Sequence, residues 1–318
     1  MRQGSKQHGA TSKTLPVAPR IGDAGGGSWL ARRYGRDTAR RYSRVSLAGL
    51  GYLILTAGAL IASFPMFWMV STSLKLTGLE FLVPPQLLPN PVAWDNYSTI
   101  FEHAPFHIYF KNSFIVVFLA TLGTLLSSSL VAFGFARIRF FGRDVLFILL
   151  LSTLMIPEIV VIIPTFILYR ELGWLDTLLP LWVKFWFGGA PFYVFLLRQY
   201  FKTLPIELDE SAMVDGASHF RIYLQIILPL SGPVLAAVAI FSLVQHWDDF
   251  LHPLVFTSSV EVRTVALGLR SFLGDEGNVP WNLLMAASTI SVVPVLILFG
   301  FAQKYFISGI QLTGLTGR

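Results

Sequence analysis

The chain has 318 residues, 54% of them hydrophobic and only 13% charged, with a mean hydropathy of +0.62 and a formal charge of +6. A soluble globular domain carries about 25% charged residues, so the composition is not that of a soluble protein. There is no cysteine, which excludes disulfides, thiolate nucleophiles and cysteine metal sites.

Residues 1–45 are expected to form a flexible basic tail. Residues 1–30 are Gly/Ser/Lys-rich and cannot bury enough surface to order themselves. Six arginines (Arg32, Arg33, Arg36, Arg40, Arg41 and Arg44) then crowd ahead of the first apolar run. Residues 46–318 form the membrane domain. Its apolar runs lie at 46–70, 113–135, 145–168, 179–197, 232–250 and 283–303. Each approaches the ~20 residues that a helix needs to cross ~30 Å of hydrocarbon, which predicts an all-α membrane protein of six transmembrane helices. The first run is too long for the core of a secretory signal and is kept as a span. With the N-terminus inside, 18 of the 24 Lys and Arg fall on the inner side, five outside and Lys184 within a span. This positive-inside bias places both termini and the 198–230 loop in the cytoplasm. It also explains the basic excess without nucleic acid as a partner.

Between spans one and two, PPQLLPNPVAWDNY is too proline-rich for a regular helix. Trp94 and Tyr97 suit the lipid interface, and Asp95 or Asn96 is expected to cap a short helix over 97–102. His103 and His107 stand four apart, as helical metal ligands would. Pro105 between them opposes a helix, and no third ligand is evident.

In span three, Glu158 lies ~20 Å from the inner side at 1.5 Å per residue. An ionisable group at that depth is a functional candidate. Pro157 and Pro164 flank it and are expected to interrupt the helix, and Lys184 in span four is placed to pair with it. The plainer alternative is a structural pair or a snorkelling lysine. Near the outer end of span five, Trp247, Asp248 and Asp249 offer an aromatic face and hydroxyl-reading carboxylates. Adjacent carboxylates on a helix point about 100° apart, so paired-acid glycoside hydrolysis is not expected.

The loop 203–229 contains ELDESAMVDGASHFRIYLQIILP, from Glu207 to Pro229. Pro205 suits a helix start, and Glu207, Asp209 and Glu210 fall in first turns that favour negative charge. Ala212, Met213 and Gly216 form a small, apolar flank. Gly216 can take left-handed backbone and end the helix. Ser218 is expected to cap a second helix with an apolar face of Ile222, Leu224, Ile226 and Ile227. Helices that lie on lipid tend to be basic; an acidic one suits a protein partner better.

Glu210-Ser211-Ala212, three residues, Gly216, nine residues, then Ile226-Ile227-Leu228-Pro229 resembles the E-A-A-x3-G-x9-I-x-L-P loop of ABC-importer permeases, with serine for the first alanine. Pro91–Tyr97, Val131–Phe140, Met155-Ile156-Pro157, Trp247–Phe250 and Gln303–Ile307 resemble segments of the carbohydrate-uptake permeases of maltose-permease type. Asp248 stands where that family more often has asparagine. The likeness covers about 46–318. It implies a type I ABC importer permease fold with a cytoplasmic coupling helix in a bacterial or archaeal cell membrane. Glu207, Glu210, Ser211, Ala212, Asp215, Gly216, Ile226, Leu228 and Pro229 would then engage an ATP-binding subunit. Pro157, Glu158, Lys184, Trp247, Asp248 and Asp249 would line the substrate path. The implied partners are a second homologous permease subunit, two cytoplasmic ATP-binding subunits holding ATP-Mg, an extracytoplasmic solute-binding protein and membrane lipid. The implied cargo is a sugar or oligosaccharide, with glycerol phosphate as the alternative. The chain lacks G-x-x-x-x-G-K-[ST], so ATP would be bound elsewhere. A secondary transporter would need paired intramembrane acids, and only Glu158 is deep. An enzyme is not expected, since neither a nucleophile–base set nor H-E-x-x-H occurs.

Overall fold

The computed structural model describes residues 27–188, 190–273 and 279–314, and all regular structure among them is helical. The chain divides into two units, Met1–Phe64 and Pro65–Arg318. Helix α1 (Gly27–Ser73) begins well before the first apolar run. Residues 27–45, expected as tail, are therefore helical. The reason is local: this stretch has no proline and six arginines, and arginine is a strong helix former. Residues 1–26 of the expected tail lie outside the described residues.

In the second unit, α2 (Asn96–His103) leads into α3 (Phe106–Arg137), followed by α4 (Arg143–Ser152), α5 (Glu158–Glu171), α6 (Leu179–Trp182) and α7 (Pro191–Thr203). The short elements α8 (Glu207–Val214), α9 (His219–Ile222) and α10 (Leu228–Leu230) precede α11 (Gly232–Trp247), and α12 (Leu251–Phe256) and α13 (Val265–Gly268) precede α14 (Trp281–Gly314). Gly49–Ser73, α3, Leu179–Thr203 and α14 within Trp281–Phe301 are long and apolar enough to cross a membrane. The count reaches six when each of two bent pairs is taken as one span: Arg143–Met155 with Glu158–Glu171 at 99°, and His219–Leu230 with Gly232–Trp247 at 80°.

Proline chemistry explains the first bend. Pro157 lacks an N–H and drives Ile156 out of the helical region; both adopt extended ψ values of 117° and 131°. Pro164, by contrast, sits inside α5. The helix is interrupted at Glu158 as expected, and the break falls at Pro157 alone.

Helix α3 is the axis of the unit, packing on α7, α11 and the tight turn Val183–Phe187. One core joins Phe133 of α3 with Val194, Leu197 and Phe201 of α7, and with Ile222, Ile227 and Val238. A second core, at the other end of α3, joins Ile100, Phe106, Tyr109, Val265, Phe272 and Ala286. There Asn96 departs from its expected capping role. It is buried, and its Nδ2 donates to the carbonyls of Ser73 and Lys75, both at 2.8 Å. The Ser73 carbonyl ends α1 and the Lys75 carbonyl lies just past it, and both need donors. Asp95 occupies the cap position of α2 but makes no side-chain bond to it. His103 ends α2 and stacks on Phe272 at 4.9 Å, whereas His107 lies in α3.

Asp176, at φ 59°, ties the α5–α6 connection to the segment after α12. It accepts the N–H groups of Ser258 (2.9 Å) and Ser259 (2.8 Å) and the Ser259 hydroxyl. The hydroxyl first, and then the two N–H groups, hold its carboxyl down at about 2, below the usual 3.8. A depressed folded value means that the tie contributes stability above pH 3.8 and loses it as pH falls through 2. Thermal melts of the native and Asp176→Ala proteins in detergent should differ most above pH 4 and converge toward pH 2. A gap that stays constant over this range would refute a charge-dependent tie.

Candidate functional site

The loop between α7 and α11 folds as an elbow. Gly216 follows α8 at φ +81°, a conformation that costs a residue with a β-carbon. Its N–H bonds to Met213 O at 3.0 Å, and Ala217 N–H bonds to Ala212 O at 2.9 Å, closing the last helical turn. Ser218 caps α9, its Oγ accepting from Arg221 N–H at 3.3 Å. Glu207, Glu210, Ser211 and Asp215 are exposed, as are Met213 and Val214 (89%), and Ala212 is half-buried. Ile222 and Ile227 enter the core, and Ile226 and Leu228 pack at its edge. Leu224 corrects the expected apolar face: it is 45% exposed, because a residue two beyond Ile222 lies about 200° round the helix. The wide π turn Tyr223–Ile227 instead brings Tyr223 inward, where its hydroxyl meets Ser129 Oγ at 2.8 Å. Pro229 is exposed at the corner before α11.

Two arginines bind this end of the unit together. Arg137, the last residue of α3, lies 3.5 Å (Nε) from Asp209 Oδ2, and both side chains are 5% exposed. Its Nη2 donates to Leu204 O at 2.9 Å. Burial pushes the Asp209 carboxyl up, with the Arg137 charge opposing. Arg198 of α7 donates from Nε to Phe135 O at 3.2 Å, lies over the Phe147 ring at 3.9 Å, and approaches Asp144 at 3.7 Å. The sequence placed Asp209 only among first-turn acids. Its three-residue offset from the half-buried Ala212 was the available signal, since an acid on that side of the helix needs a partner.

Farther along the fold lies a polar cluster. Glu158 Oε1 stands 3.5 Å from Lys184 Nζ, as expected, and 3.0 Å from His252 Nε2. His252 Nδ1 lies 2.9 Å from Asp249 Oδ2, and Lys184 Nζ lies 3.1 Å from His252 Nε2. The break at Pro157 puts Glu158 on the first turn of α5, where backbone N–H groups are free and negative charge is favoured. His252 links the two carboxylates, and sequence reasoning missed it; its three-residue offset from Asp249 was the only cue. With Asp249 accepting from Nδ1–H, the neutral ring leaves Nε2 to accept from Lys184. Once protonated, Nε2–H donates to Glu158. Glu158 is 61% exposed in a neighbourhood of exposed Met155 and Ile159.

Trp247 and Asp248 stand outside this cluster. Trp247 is buried, donates Nε1–H to Ser291 O at 3.1 Å and packs on Phe110 and Phe114. It walls an apolar cavity of about 400 Å³ between α3, α11 and α14. Asp248 is exposed. Among the described residues no group of three or more His, Asp or Glu is arranged to hold a metal ion.

A family model described as "Binding-protein-dependent transport system inner membrane component" matches residues 123–311. The chain belongs to that family. It is a multi-pass inner-membrane component of a binding-protein-dependent transport system, and both the elbow and the polar cluster lie within the matched stretch. Relatives of this inner-membrane component include the trehalose/maltose transport system permease protein MalG of Thermococcus litoralis, 36% identical over 81% of this chain and 93% of the relative. The arabinooligosaccharides transport system permease protein AraQ of Bacillus subtilis is 35% identical over 81% and 92%. The sn-glycerol-3-phosphate transport system permease protein UgpE of Yersinia enterocolitica is 34% identical over 81% and 94%. A crystal structure of a bacterial ABC transporter that imports the acidic polysaccharide alginate superposes with a TM-score of 0.73 at 22% identity, covering 84% of this chain and 98% of that one. The fold is that of a type I ABC importer permease.

Proposed function

We propose that this permease imports a sugar or oligosaccharide delivered by an extracytoplasmic solute-binding protein, alongside a second permease subunit and two ATP-binding subunits. The observation that carries the proposal is the elbow. It presents Glu207, Glu210, Ser211 and Asp215 on one exposed surface hinged at Gly216, while the sequence lacks G-x-x-x-x-G-K-[ST]. Both termini and the elbow then face the cytoplasm, in keeping with the basic inner segments. ATP closure of the partner subunits would move the elbow and, through it, the spans, stabilising one arrangement over the other. The test is uptake in vesicles reconstituted with the co-purified subunits. Uptake should follow ATP in the compartment that the elbow faces and ignore ion gradients. Uptake driven by a gradient with the ATP-binding subunits absent would refute the proposal.

The Glu158–Lys184–His252–Asp249 cluster is assigned to the substrate path. An exposed carboxylate and a half-buried ammonium at span depth are costly against hydrocarbon and suited to a polar passage that reads hydroxyl groups. Glu158→Gln should lower uptake about tenfold, the loss of one charge-assisted hydrogen bond of about 1.5 kcal/mol. Unchanged uptake with normal assembly would leave the cluster a packing device.

Glycerol phosphate is a second reading, supported by one observation. A polar cavity of about 560 Å³ brings Arg263 and Arg270 together with Thr257, Ser258 and Ser271, chemistry that suits an anion. Thermal-shift screening of the matching binding protein against sugars and glycerol phosphate separates the two cargoes.

A further inference from the structure

We infer that the buried Arg137–Asp209 pair is the strut through which the elbow moves the spans, an inference that rests on the coupling role proposed above. Three of the elbow's carboxylates, on Glu207, Glu210 and Asp215, are exposed and available to a partner. Asp209 is the exception. It turns inward and meets the guanidinium that ends α3, the helix on which the rest of the unit packs. Arg137 also holds Leu204 O, the residue that closes α7. One guanidinium therefore grips both sides of the α7–α8 joint, the carbonyl before it and the carboxylate after it. Helix α8 cannot shift toward or away from the bundle without loading α3.

Burial energetics point the same way. A buried ion pair is poor cement, because desolvating both charges consumes most of their attraction, and apolar side chains of similar size hold a core at least as well. What the pair adds to the packing of Ala212 on the first core is a directed link between α8 and the end of α3. It is also slack. Nε and Oδ2 stand 3.5 Å apart, and neither Arg137 Nε nor Asp209 Oδ1 has a hydrogen-bond partner. Closing that gap by a few tenths of an ångström converts a loose ion contact into a charge-assisted hydrogen bond. A small displacement of α8 would therefore switch the pair from the loose contact seen here to the bonded one. His219 and Glu210 are the other charged groups acting on Asp209, and each is exposed.

The experiment uses the full complex in proteoliposomes, with the solute-binding protein added outside and ATP within. It compares Arg137→Gln, Asp209→Asn and the double variant. Each single change should lower the number of solute molecules moved per ATP by about tenfold, with the ATP-binding subunits still co-purifying. Each also leaves one buried charge alone and so should lower the thermal midpoint. The double variant removes both charges and should regain that midpoint, yet keep the low transport-to-hydrolysis ratio. A ratio that recovers together with stability, or that never falls in the single variants, overturns the strut and leaves a packing pair. Should the single variants fail to assemble, the double variant decides alone: a low ratio supports the strut and a normal one overturns it. Glu210→Lys serves as the parallel arm. If it leaves uptake normal, the elbow assignment itself falls; if it uncouples while the Arg137 and Asp209 variants transport normally, only the strut falls.

Discussion

Glu210→Lys combined with Gly216→Leu is expected to lower net uptake at least roughly a hundredfold while ATP hydrolysis continues. The first change reverses the charge on the elbow's exposed acidic face. Like-charge juxtaposition at an interface costs several kcal/mol, and about 2.7 kcal/mol already gives a hundredfold. The second change acts on the backbone. Nothing lies within 4 Å of a β-carbon built at Gly216, so leucine meets no wall there. Its penalty is the left-handed φ of +81°, worth roughly 1–2 kcal/mol, and the chain relieves it by turning α9 away from α8. The elbow then keeps its helices and loses their mutual angle. Labelled-solute uptake and phosphate release, measured on the same vesicles, check this. Normal uptake by the double variant would remove the elbow from the transport cycle.

Gly268→Ala should be the most damaging single methyl addition among the described glycines. A β-carbon there would stand 2.7 Å from Tyr109 Cε2 and closer still to Cδ2. Tyr109 cannot step aside: it is 1% exposed and braced edge-on by Phe106 at 5.4 Å. The backbone of α13 must move instead, opening the second core. Overpacking of this kind costs about 1–3 kcal/mol or more, which should lower the thermal midpoint by about 5 °C or more. Gly123 makes the instructive contrast. Its β-carbon would meet Trp186 at 2.6 Å (Nε1), but that indole is 36% exposed and can swing out, giving up one hydrogen bond to Leu119 O. Gly123→Ala should therefore cost less than Gly268→Ala. The reverse order of melting points would contradict this account of the two contacts.

The spans and the elbow were legible from the chain because both rest on local rules. Apolar runs near 20 residues report span length, and Gly216 and Ser218 sit where a helix must end and the next begin. The pairing of Glu158 with Lys184 was legible from depth alone, since a charge there needs company. What escaped depended on three-dimensional closure. His252 joins Glu158 across 94 positions of sequence, and no periodicity carries that. Arg137 looked like one more orienting charge, although its side chain is nearly sealed inside the fold. Trp247 and Asp248 were grouped with Asp249 because they are adjacent in sequence. The turn that ends α11 sends the three to different surroundings. Pro157 and Pro164 read alike in sequence, yet only the former has its N-terminal neighbour in extended backbone; the helix absorbs the latter.

If the elbow is pushed as proposed, the 80° corner between His219–Leu230 and α11 would act as a bell crank. A thrust delivered along one arm would then emerge as a sideways swing of the other, spreading the long arm within the plane of the bilayer. Distance labels placed across neighbouring spans should therefore register the stroke more strongly than labels placed along the bilayer normal.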